Sequence, residues 1–430
     1  MSELSLRQID DIIAAVDGGF DRQIALLAEL VGQASLRGHE AGVQAVVERE
    51  MGRLGLEIDR FRIDLEAAAG QPGFSPATVD YTNAWNLAGY RRSGRDGGRS
   101  LALNGHVDVV PTANPALWSH GPYSAVVEGD WMYGRGAGDM KAGVTANLFA
   151  LAALDMAGIT LLGDVHIQSV IEEEITGNGA AMALARGHVA DAILIPEPTD
   201  EQLVRANVGV IKFAITLRGV PAHPREIGAG TSAIEAGFAM VARLKDLEAH
   251  WIAEKAKHPH FAALRNPVAL TIGKFNGGEW SASVSTECRM EGRIGIYPGD
   301  DPTLRVREFE SFVAACALED PALSRAEPRV EWVGHVHGGY ELAPGGEAES
   351  MLGWAHGITN DRPLPAYVMP AYLDAAVFAL HAGMPAITYG PVAERVHGID
   401  ERVSLSSLRR VTKTIALFIA GWCGVANTDR

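Results

Sequence analysis

Acidic and imidazole side chains stand in this sequence where apolar runs end, and such groups are good ligands for metal ions. The segment LNGHVDVVP places His106 and Asp108 two residues apart at the end of a strand-like run. Alternate residues of a strand share one face, and a metal-binding histidine usually donates its second ring N–H to a carboxylate or carbonyl oxygen. The pair therefore suits a ligand and its orienting group. A strand-end histidine bonded to a turn is the structural alternative.

Four further segments bring a carboxylate or an imidazole to a strand end or a helix start. They are Asp139 in YGRGAGDMKAG, Glu173 and Glu174 in SVIEEEITGNGA, Glu197 in AILIPEPTD and His397 in ITYGPVAERVHGIDERV. Each has a structural alternative, such as a helix N-cap, a solvated glutamate run or a carboxylate on the rim. Together they form a nitrogen and oxygen ligand set for Zn, Co or Mn. A pair of such ions about 3.5–4 Å apart activates a water molecule.

The order of elements that must position these side chains predicts an α/β fold with an insertion. Short apolar runs alternate with Ala-rich helical stretches up to residue 208, which indicates a mostly parallel sheet covered by helices. Residues 209–340 then read as strand, helix, two strands, helix and strand, the order of a ferredoxin-like α+β unit. We predict a catalytic domain in two parts, 1–208 and 341–430, around an inserted domain of residues 209–340.

Composition excludes several classes of function. A formal net charge of -16 over 430 residues argues against nucleic-acid partners and anionic membrane surfaces. No apolar stretch approaches the ~20 residues of a membrane span, and the first 31 residues read as amphipathic helices without a signal-peptide pattern. Cys288, Cys316 and Cys423 are scattered and odd in number, which indicates neither a disulfide framework nor a thiolate metal site. We therefore expect a cytoplasmic protein.

The ordered set of motifs resembles the dinuclear metallohydrolase family of acetylornithine deacetylase, succinyl-diaminopimelate desuccinylase, aminoacylase and carboxypeptidase G. The likeness covers nearly the whole chain. It rests on NGHVDVVP, the block from Trp118 to Gly143, IEEEITGNGA, IPEPTD, VPAHP, LDAAVFALHAGMPAITYGP and HGIDERV. The resemblance implies a hydrolase that cleaves the amide C–N bond of a small N-acyl amino acid or a related compound. It also implies two divalent metal ions, Zn first with Co or Mn as alternatives, and a homodimer formed through the inserted domain, which acts as a lid.

The same resemblance assigns roles to the acids and imidazoles. Glu173 would be the general base for a water that bridges the metals, and Asp108 would orient His106. Glu172 replaces the aspartate that often starts the acidic triplet, a change we expect to have little effect. The implied ligands are His106, Asp139 and Glu197 for one cation and Asp139, Glu174 and His397 for the other.

Three more residues are predicted to contact the substrate, again by resemblance. His223 in GVPAHP would reach the partner's active site and donate a hydrogen bond to the oxyanion, with a satisfied surface histidine as its alternative. Arg293 in MEGRIGIYPG would bind a substrate carboxylate, with a strand arginine paired inside the lid as its alternative. Gly390, which follows the strand in MPAITYGP, is the third.

Other functions stay open at this point. A dipeptidase, a carboxypeptidase or an aminohydrolase acting on a non-peptide amine, aromatic amines included, would use the same chemistry. A catalytically silent metal-binding scaffold is the alternative from another class. A dinucleotide-binding oxidoreductase is disfavoured, because Asp139 stands where the glycine-rich loop would have to approach a pyrophosphate.

Overall fold

The computed structural model describes residues 4–68, 70–77 and 79–426. The helices are α1 (Leu6–Val31), α2 (Ala41–Arg53), α3 (Leu65–Ala68), α4 (Ala142–Met156), α5 (Asn178–Ala185), α6 (Ala233–Ala253), α7 (Pro302–Glu319), α8 (Pro321–Ala326), α9 (Glu347–Asn360), α10 (Ala375–Ala382) and α11 (Leu405–Cys423). The strands are β1 (Glu57–Phe61), β2 (Asn86–Arg91), β3 (Leu101–His106), β4 (Val126–Glu128), β5 (Trp131–Tyr133), β6 (Val165–Val170), β7 (Ile193–Ile195), β8 (Leu203–Asn207), β9 (Gly209–Arg218), β10 (Leu270–Gly277), β11 (Glu287–Ile296), β12 (Arg329–His337), β13 (Tyr340–Glu341), β14 (Ala366–Met369), β15 (Ala386–Thr388), β16 (Ala393–Glu394) and β17 (Arg402–Ser404). Within the described ranges, no helix combines the length and apolar character needed to cross a bilayer.

The first helix shows how local sequence sets an element. α1 begins at a capping box, in which the Ser5 hydroxyl accepts from the Gln8 amide and the Gln8 side chain accepts from the Ser5 amide. Ile12, Val16 and Phe20 follow at helical spacing and are buried. α1 packs with α4 and α11 in the main hydrophobic core.

The central sheet has six strands in the order β1-β2-β6-β3-β7-β15. β6, β3, β7 and β15 are parallel neighbours, and β1 and β2 form an antiparallel edge. Parallel strands need crossover connections, which the helices between them supply. The predicted mostly parallel sheet is confirmed.

Helices cover this sheet on both faces. Leu101 and Leu103 of β3 belong to the main core, together with residues of α1, α4 and α11. The intervening Ala102, with Ile193 and Ile195 of β7, belongs to a second core formed with α5 and α10. Alternate strand residues therefore serve opposite layers, as expected for a sheet buried on both sides.

Three parallel strands end at the same edge of the sheet, and each end is followed by candidate site residues. His106 is the last residue of β3, and β6 ends two residues before the glutamate triplet. β7 ends two residues before Glu197. Ligand sites in open α/β sheets form beyond such carboxyl ends.

The insertion folds as a four-stranded antiparallel sheet in the order β10-β11-β9-β12. α6, α7 and α8 pack against it around a separate core that includes Phe213, Met240 and Phe309. The predicted ferredoxin-like α+β lid is confirmed, with α8 as a short addition after α7. The boundaries at residues 208/209 and 340/341 stay predictions.

Candidate active site

A cavity of about 610 Å³ lies between the carboxyl edge of the central sheet and the lid. One wall of this cavity is acidic and the facing wall is basic. The acidic wall carries Asp139, Glu173, Glu174 and Glu197, together with the imidazole of His397. The facing wall carries Lys212 and Arg293 from the lid sheet.

His106 is held by Asp108 in two ways. Its Nδ1 lies 3.0 Å from the backbone oxygen of Asp108 and 3.5 Å from a carboxylate oxygen of the same residue. The Asp108 carboxylate also accepts hydrogen bonds from the backbone amides of Glu173 at 3.3 Å and Glu174 at 3.2 Å. Asp108 therefore contacts the imidazole, as the sequence suggested, and also holds the turn that carries the two glutamates, a contact that the sequence did not indicate.

Asp139 lies between the two imidazoles. Its Oδ1 is 3.0 Å from Nε2 of His106, and its Oδ2 is 3.2 Å from Nε2 of His397. The preceding turn contains Gly136 at a φ of 79°, where a Cβ would lie 2.5 Å from the Val109 side chain. Only glycine suits that conformation and that space. The glycine-rich turn thus presents one carboxylate to two histidines.

The other acids complete the acidic wall. Nε2 of His397, on the loop between β16 and β17, lies 3.0 Å from Oε1 of Glu174. Glu197 is buried, and its Oε1 lies 3.8 Å from Nε2 of His106 without any hydrogen-bond partner among the described residues. Glu173 Oε2 lies 3.9 Å from the same nitrogen of His106.

The carboxylates of this cluster outnumber its imidazoles, so their negative charge is not fully balanced. Burial raises the pKa of both Glu173 and Glu197 well above the usual range, and repulsion from neighbouring carboxylates, Glu174 and Asp374 among them, adds to that effect against the opposing charge of His106. Burial would lower the pKa of His397, but Glu174 and Asp139 raise it to about 11. Cations close to these carboxylates would relieve the repulsion.

The donor set fits divalent cations. One ligand atom each from His106, Asp139 and Glu174 lie within 4.8 Å of one another. The unpartnered Oε1 of Glu197 is a buried acceptor that needs a cation or a proton. Imidazole nitrogens and carboxylate oxygens without a thiolate suit Zn, Co or Mn. These side chains can therefore hold cations for hydrolytic chemistry.

A buried ion pair beneath the site was missed by the sequence analysis. Glu401 accepts a hydrogen bond from the Asp139 amide at 3.1 Å and pairs with Arg135. Arg135 in turn donates to the backbone oxygen of Gly398 at 3.1 Å, next to His397. The pair thus ties together two segments that carry candidate ligands. Both residues stand inside the quoted motifs, but nothing in their spacing indicates that they meet.

Lys141 anchors the Asp139 segment to the first helix. Its buried Nζ donates to the backbone oxygens of Leu30 at 2.9 Å and Gln33 at 2.8 Å, where α1 ends. A lysine at this position satisfies carbonyl groups that a helix end leaves free. The position of Asp139 therefore depends on α1 as well as on the sheet.

Glu172 belongs to the acidic triplet but does not line the cavity. Its carboxylate accepts two hydrogen bonds from Arg37, at 2.5 and 2.8 Å, and others from the hydroxyls of Tyr81 at 2.7 Å and Thr176 at 2.8 Å. The residue is buried and has a φ of 70°. Glu172 therefore holds the turn of the acidic triplet in place from the side away from the cavity.

Of the three residues predicted to contact substrate, Arg293 alone lines this cavity. His223 is exposed on the lid, where its Nδ1 accepts from the Arg225 amide at 3.1 Å. The Gly390 amide donates to the hydroxyl of Thr199 at 2.8 Å. The structure does not bring His223 or Gly390 to the cavity of their own chain.

Asp374 is a further buried acid that the sequence did not single out. One carboxylate oxygen accepts from the Tyr372 hydroxyl at 3.0 Å, and the other has no partner among the described residues. Burial raises its pKa to about 7 against the opposing charge of His106. Its place before α10 suggests an N-cap, yet it makes no side-chain capping bond. Tyr372 lines the cavity beside it.

Comparison with known proteins gives a consistent result. The sequence profile of Peptidase family M20/M25/M40 matches residues 102–421. The chain is 28% identical over 401 residues, 89% of both chains, to N-formyl-4-amino-5-aminomethyl-2-methylpyrimidine deformylase from Bacillus subtilis (strain 168). It is 30% identical over 362 residues, 80% of this chain and 89% of the relative, to succinyl-diaminopimelate desuccinylase from Dinoroseobacter shibae.

The solved structure of the dipeptidase Dug1p from Saccharomyces cerevisiae has a similar fold. It superimposes with a TM-score of 0.78 at 13% identity and covers 97% of this chain and 99% of its own. The profile match, the two relatives and this fold agree with the acid and imidazole cluster at the sheet edge. The chain belongs to Peptidase family M20/M25/M40 and is a metal-dependent hydrolase acting on C–N bonds.

Proposed function

We propose that this chain removes the acyl group from a small N-acylated amino acid or a related amide. The observation that carries the proposal is the meeting of four carboxylates and His397, from segments far apart in sequence, around one cavity, with the buried His106 in contact with Asp139. Similarity to a deformylase and to a desuccinylase, which are named for removing acyl groups, supports it.

The cation ligands in this proposal are His106, Asp139 and Glu197 for one ion and Asp139, Glu174 and His397 for the other. The contacts of Asp139 with both imidazoles support its place between the two ions. Zn is the first choice, with Co or Mn as alternatives. Divalent ions bound there would lower the pKa of water and polarise a carbonyl oxygen.

Glu173 is the proposed general base. Its carboxylate takes a proton from the attacking water as the oxygen–carbon bond forms, and then gives that proton to the amine nitrogen as the C–N bond breaks. The products are a carboxylate and an amine. Asp108 supports this role, because it fixes the Glu173 amide at 3.3 Å. Acid–base catalysis of this kind contributes roughly 10²–10⁴-fold to rate.

We also propose a homodimer formed through the lid, in which His223 serves the partner's cavity as an oxyanion donor. His223 is exposed and lies outside its own cavity. Near the edge strand β10, Phe238 is 63% exposed and stacks on Phe275 with ring centroids 5.2 Å apart. Trp280 is 71% exposed. Exposed aromatic residues beside an edge strand are typical of an association surface.

Mixing two inactive variants tests the dimer. H223A and E173Q subunits, each inactive alone, should regain activity when they are unfolded and refolded together, because one mixed site then has both side chains. No recovery, together with a monomer in sedimentation equilibrium, would contradict this arrangement.

The setting of the enzyme is also part of the proposal. We place it in the cytoplasm, with catalytic parts 1–208 and 341–430 and the lid at 209–340. Three free, buried cysteines support a reducing compartment.

A second candidate is cleavage of a formamide carried by a non-peptide aromatic amine. The identity to a pyrimidine deformylase over 401 residues favours it. The rings of His335 and Tyr372 line the cavity with centroids 4.2 Å apart and are tilted by 43° to each other, so an aromatic group can pack against them.

Assays with a substrate panel decide between these candidates. Metal-stripped enzyme, reloaded with Zn, Co or Mn, would be tested on N-formyl, N-acetyl and N-succinyl amino acids, dipeptides and aryl formamides. We expect hydrolysis of at least one N-acyl amino acid. Failure of the reloaded enzyme to cleave any of these amides with Zn, Co or Mn would contradict the proposal.

The E173Q variant tests the base directly. It should lose turnover while keeping the metal content of the parent enzyme, because Glu173 is not among the proposed ligands. E341Q, a change at an exposed glutamate of β13, is the matched control and should behave like wild type. A folded, metal-loaded E173Q enzyme with full activity would remove Glu173 from the mechanism.

A further inference from the structure

The lid wall of the cavity carries a row of four polar side chains, one from each strand of the lid sheet. Thr271 of β10 lies opposite Arg293 of β11, and Arg293 lies opposite Lys212 of β9. His335 stands in the irregular part of β12 that faces Lys212. All four line the cavity. At about 4.7–4.9 Å between strands, the row is roughly 14 Å long.

The row has a defined orientation because strand residues alternate between faces. Ile211 and Phe213, the neighbours of Lys212, belong to the lid core on the helix side of the sheet. Lys212 therefore points to the opposite face, toward the cavity. The charged part of the row is in its middle, at Lys212 and Arg293.

Two positive charges directly opposite each other on antiparallel strands repel. Both Lys212 and Arg293 are partly buried, so water screens this repulsion incompletely. Burial lowers the pKa of Arg293, and no acid opposes that effect. Within the described residues, neither side chain forms an ion pair. Arg293 therefore has no acidic partner among the described residues, although the carboxylates of Glu174 and Glu173 attract the Lys212 ammonium.

The hydrogen-bond donors of the pair are also largely unused. Lys212 Nζ donates to the backbone oxygen of Glu174, which accounts for one of the three donors of an ammonium group. None of the five guanidinium N–H groups of Arg293 has an acceptor among the described residues. Both side chains are only partly buried, so these free N–H groups face the cavity and can donate to a ligand there. A planar anion with two oxygens would satisfy both side chains at once.

We propose that Lys212 acts with Arg293 to bind a carboxylate of the substrate, and that Lys212 sets a preference for amides of amino acids over amides of neutral amines. This inference rests on the proposed deacylase function and adds a residue and a substrate class to it. The guanidinium fork binds the carboxylate in its plane, and the ammonium adds a point charge.

The contact with Glu174 also places Lys212 next to the proposed metal site. Its ammonium touches the backbone of a proposed metal ligand, so a bound carboxylate is linked through one side chain to the reacting centre. A lysine that served only as a counter-charge to Glu173 and Glu174 would not distinguish between charged and neutral substrates. The two roles therefore predict different kinetics.

A matched pair of substrates tests the inference. An N-acyl amino acid and its C-terminal carboxamide contain the same scissile amide and differ in one charge. Wild type should favour the carboxylate by roughly 10- to 100-fold in kcat/KM, the range expected for charge-assisted hydrogen bonds. K212M should lose most of this preference through KM, and K212R should recover part of it. K274M, which removes an exposed lysine paired with Glu291 on the same sheet, should keep the wild-type preference.

A binding measurement separates this inference from the deacylase proposal. Metal-loaded E173Q would be titrated calorimetrically with both compounds, with and without K212M. Hydrolysis of both compounds without preference, or an equal loss on both in K212M, overturns the inference and leaves the deacylase proposal standing. Charge-dependent binding that K212M abolishes supports the inference, even if wild type hydrolyses no amide and the deacylase proposal falls.

Discussion

The two imidazoles that flank Asp139 are held in contrasting ways. His106 ends a buried strand, is 1% exposed and has its second nitrogen bonded to Asp108. His397 lies on a loop with a φ of 62°, and its side chain is 50% exposed. The sheet thus fixes one half of the site, while the other half depends on a loop. We expect the cation assigned to His106 to bind more tightly than the one assigned to His397.

The loop that carries His397 is restrained by contacts outside the site. Asp400 accepts from the Ser119 amide at 2.7 Å and from the Ser119 hydroxyl at 2.8 Å. Arg395 and Asp400 both have positive φ angles, of 56° and 58°. Such conformations cost of order 1–3 kcal/mol each and persist only where neighbouring contacts hold them. The loop is therefore ordered by its partners rather than by its own sequence.

The largest expected effect comes from the residue shared by both halves. D139N should abolish activity and remove nearly all bound metal, since Asp139 contacts both imidazoles. Metal content after gel filtration, measured by atomic emission, checks this. Retention of both ions would show that Asp139 does not stand between them.

Next in size is the contrast between the two histidines. H106A should lose both ions and most activity, because the change also removes the imidazole that contacts Asp108 and Asp139 at the end of the strand. H397A should retain one ion and lose only the weaker one. Calorimetric titration of each stripped variant with Zn gives the number of sites. The reverse pattern would contradict the comparison.

The Arg135–Glu401 pair should affect both halves together. E401Q weakens the support of Asp139 and, through Arg135, of the segment beside His397. Loss of such a support costs metal affinity roughly 10–100-fold, measurable by competition with a chelator. E394Q, which alters a partly exposed glutamate paired with Arg402, is the control. Weakening of one site alone would argue against a shared support.

The sequence indicated the candidate metal ligands more fully than the residues that hold those ligands in place. Strand ends and glycine turns restrict which residues reach the cavity, so Asp139 and Glu197 stand out where a core pattern breaks. Arg135 and Lys212 do not, because a charged residue in a loop or an alternating strand is ordinary. The roles of these two residues depend on contacts with partners that are far away in sequence. Glu401 was visible in its motif, but only the fold shows what it touches.

His223 and Gly390 illustrate the limit of prediction by resemblance. Within one chain, His223 is exposed and Gly390 lies against Glu197, where a Cβ would come within 2.1 Å of the Glu197 backbone oxygen. A motif reports which residue occupies a position, but it does not report which subunit or which layer that residue faces. Their contacts with substrate stay predictions.

The smallest expected effect concerns the loop alone. D400A removes two hydrogen bonds to Ser119 and should lower affinity at the His397 site by about five- to tenfold, at roughly 0.5–0.7 kcal/mol for each bond. The His106 site should keep its affinity. A two-site fit of the Zn titration measures both. An equal loss at the two sites would indicate that the loop supports the whole cluster.

The support beneath Asp139 has a consequence for biosynthesis. Arg135 and the acids up to Glu197 leave the ribosome before the lid, whereas His397 and Glu401 follow it. A growing polypeptide therefore holds crowded, like-charged groups without their later partners while an entire module is still being made. Uptake of the cation assigned to His397 therefore becomes a late step of maturation, because it requires that the segments on both sides of the insertion have come together.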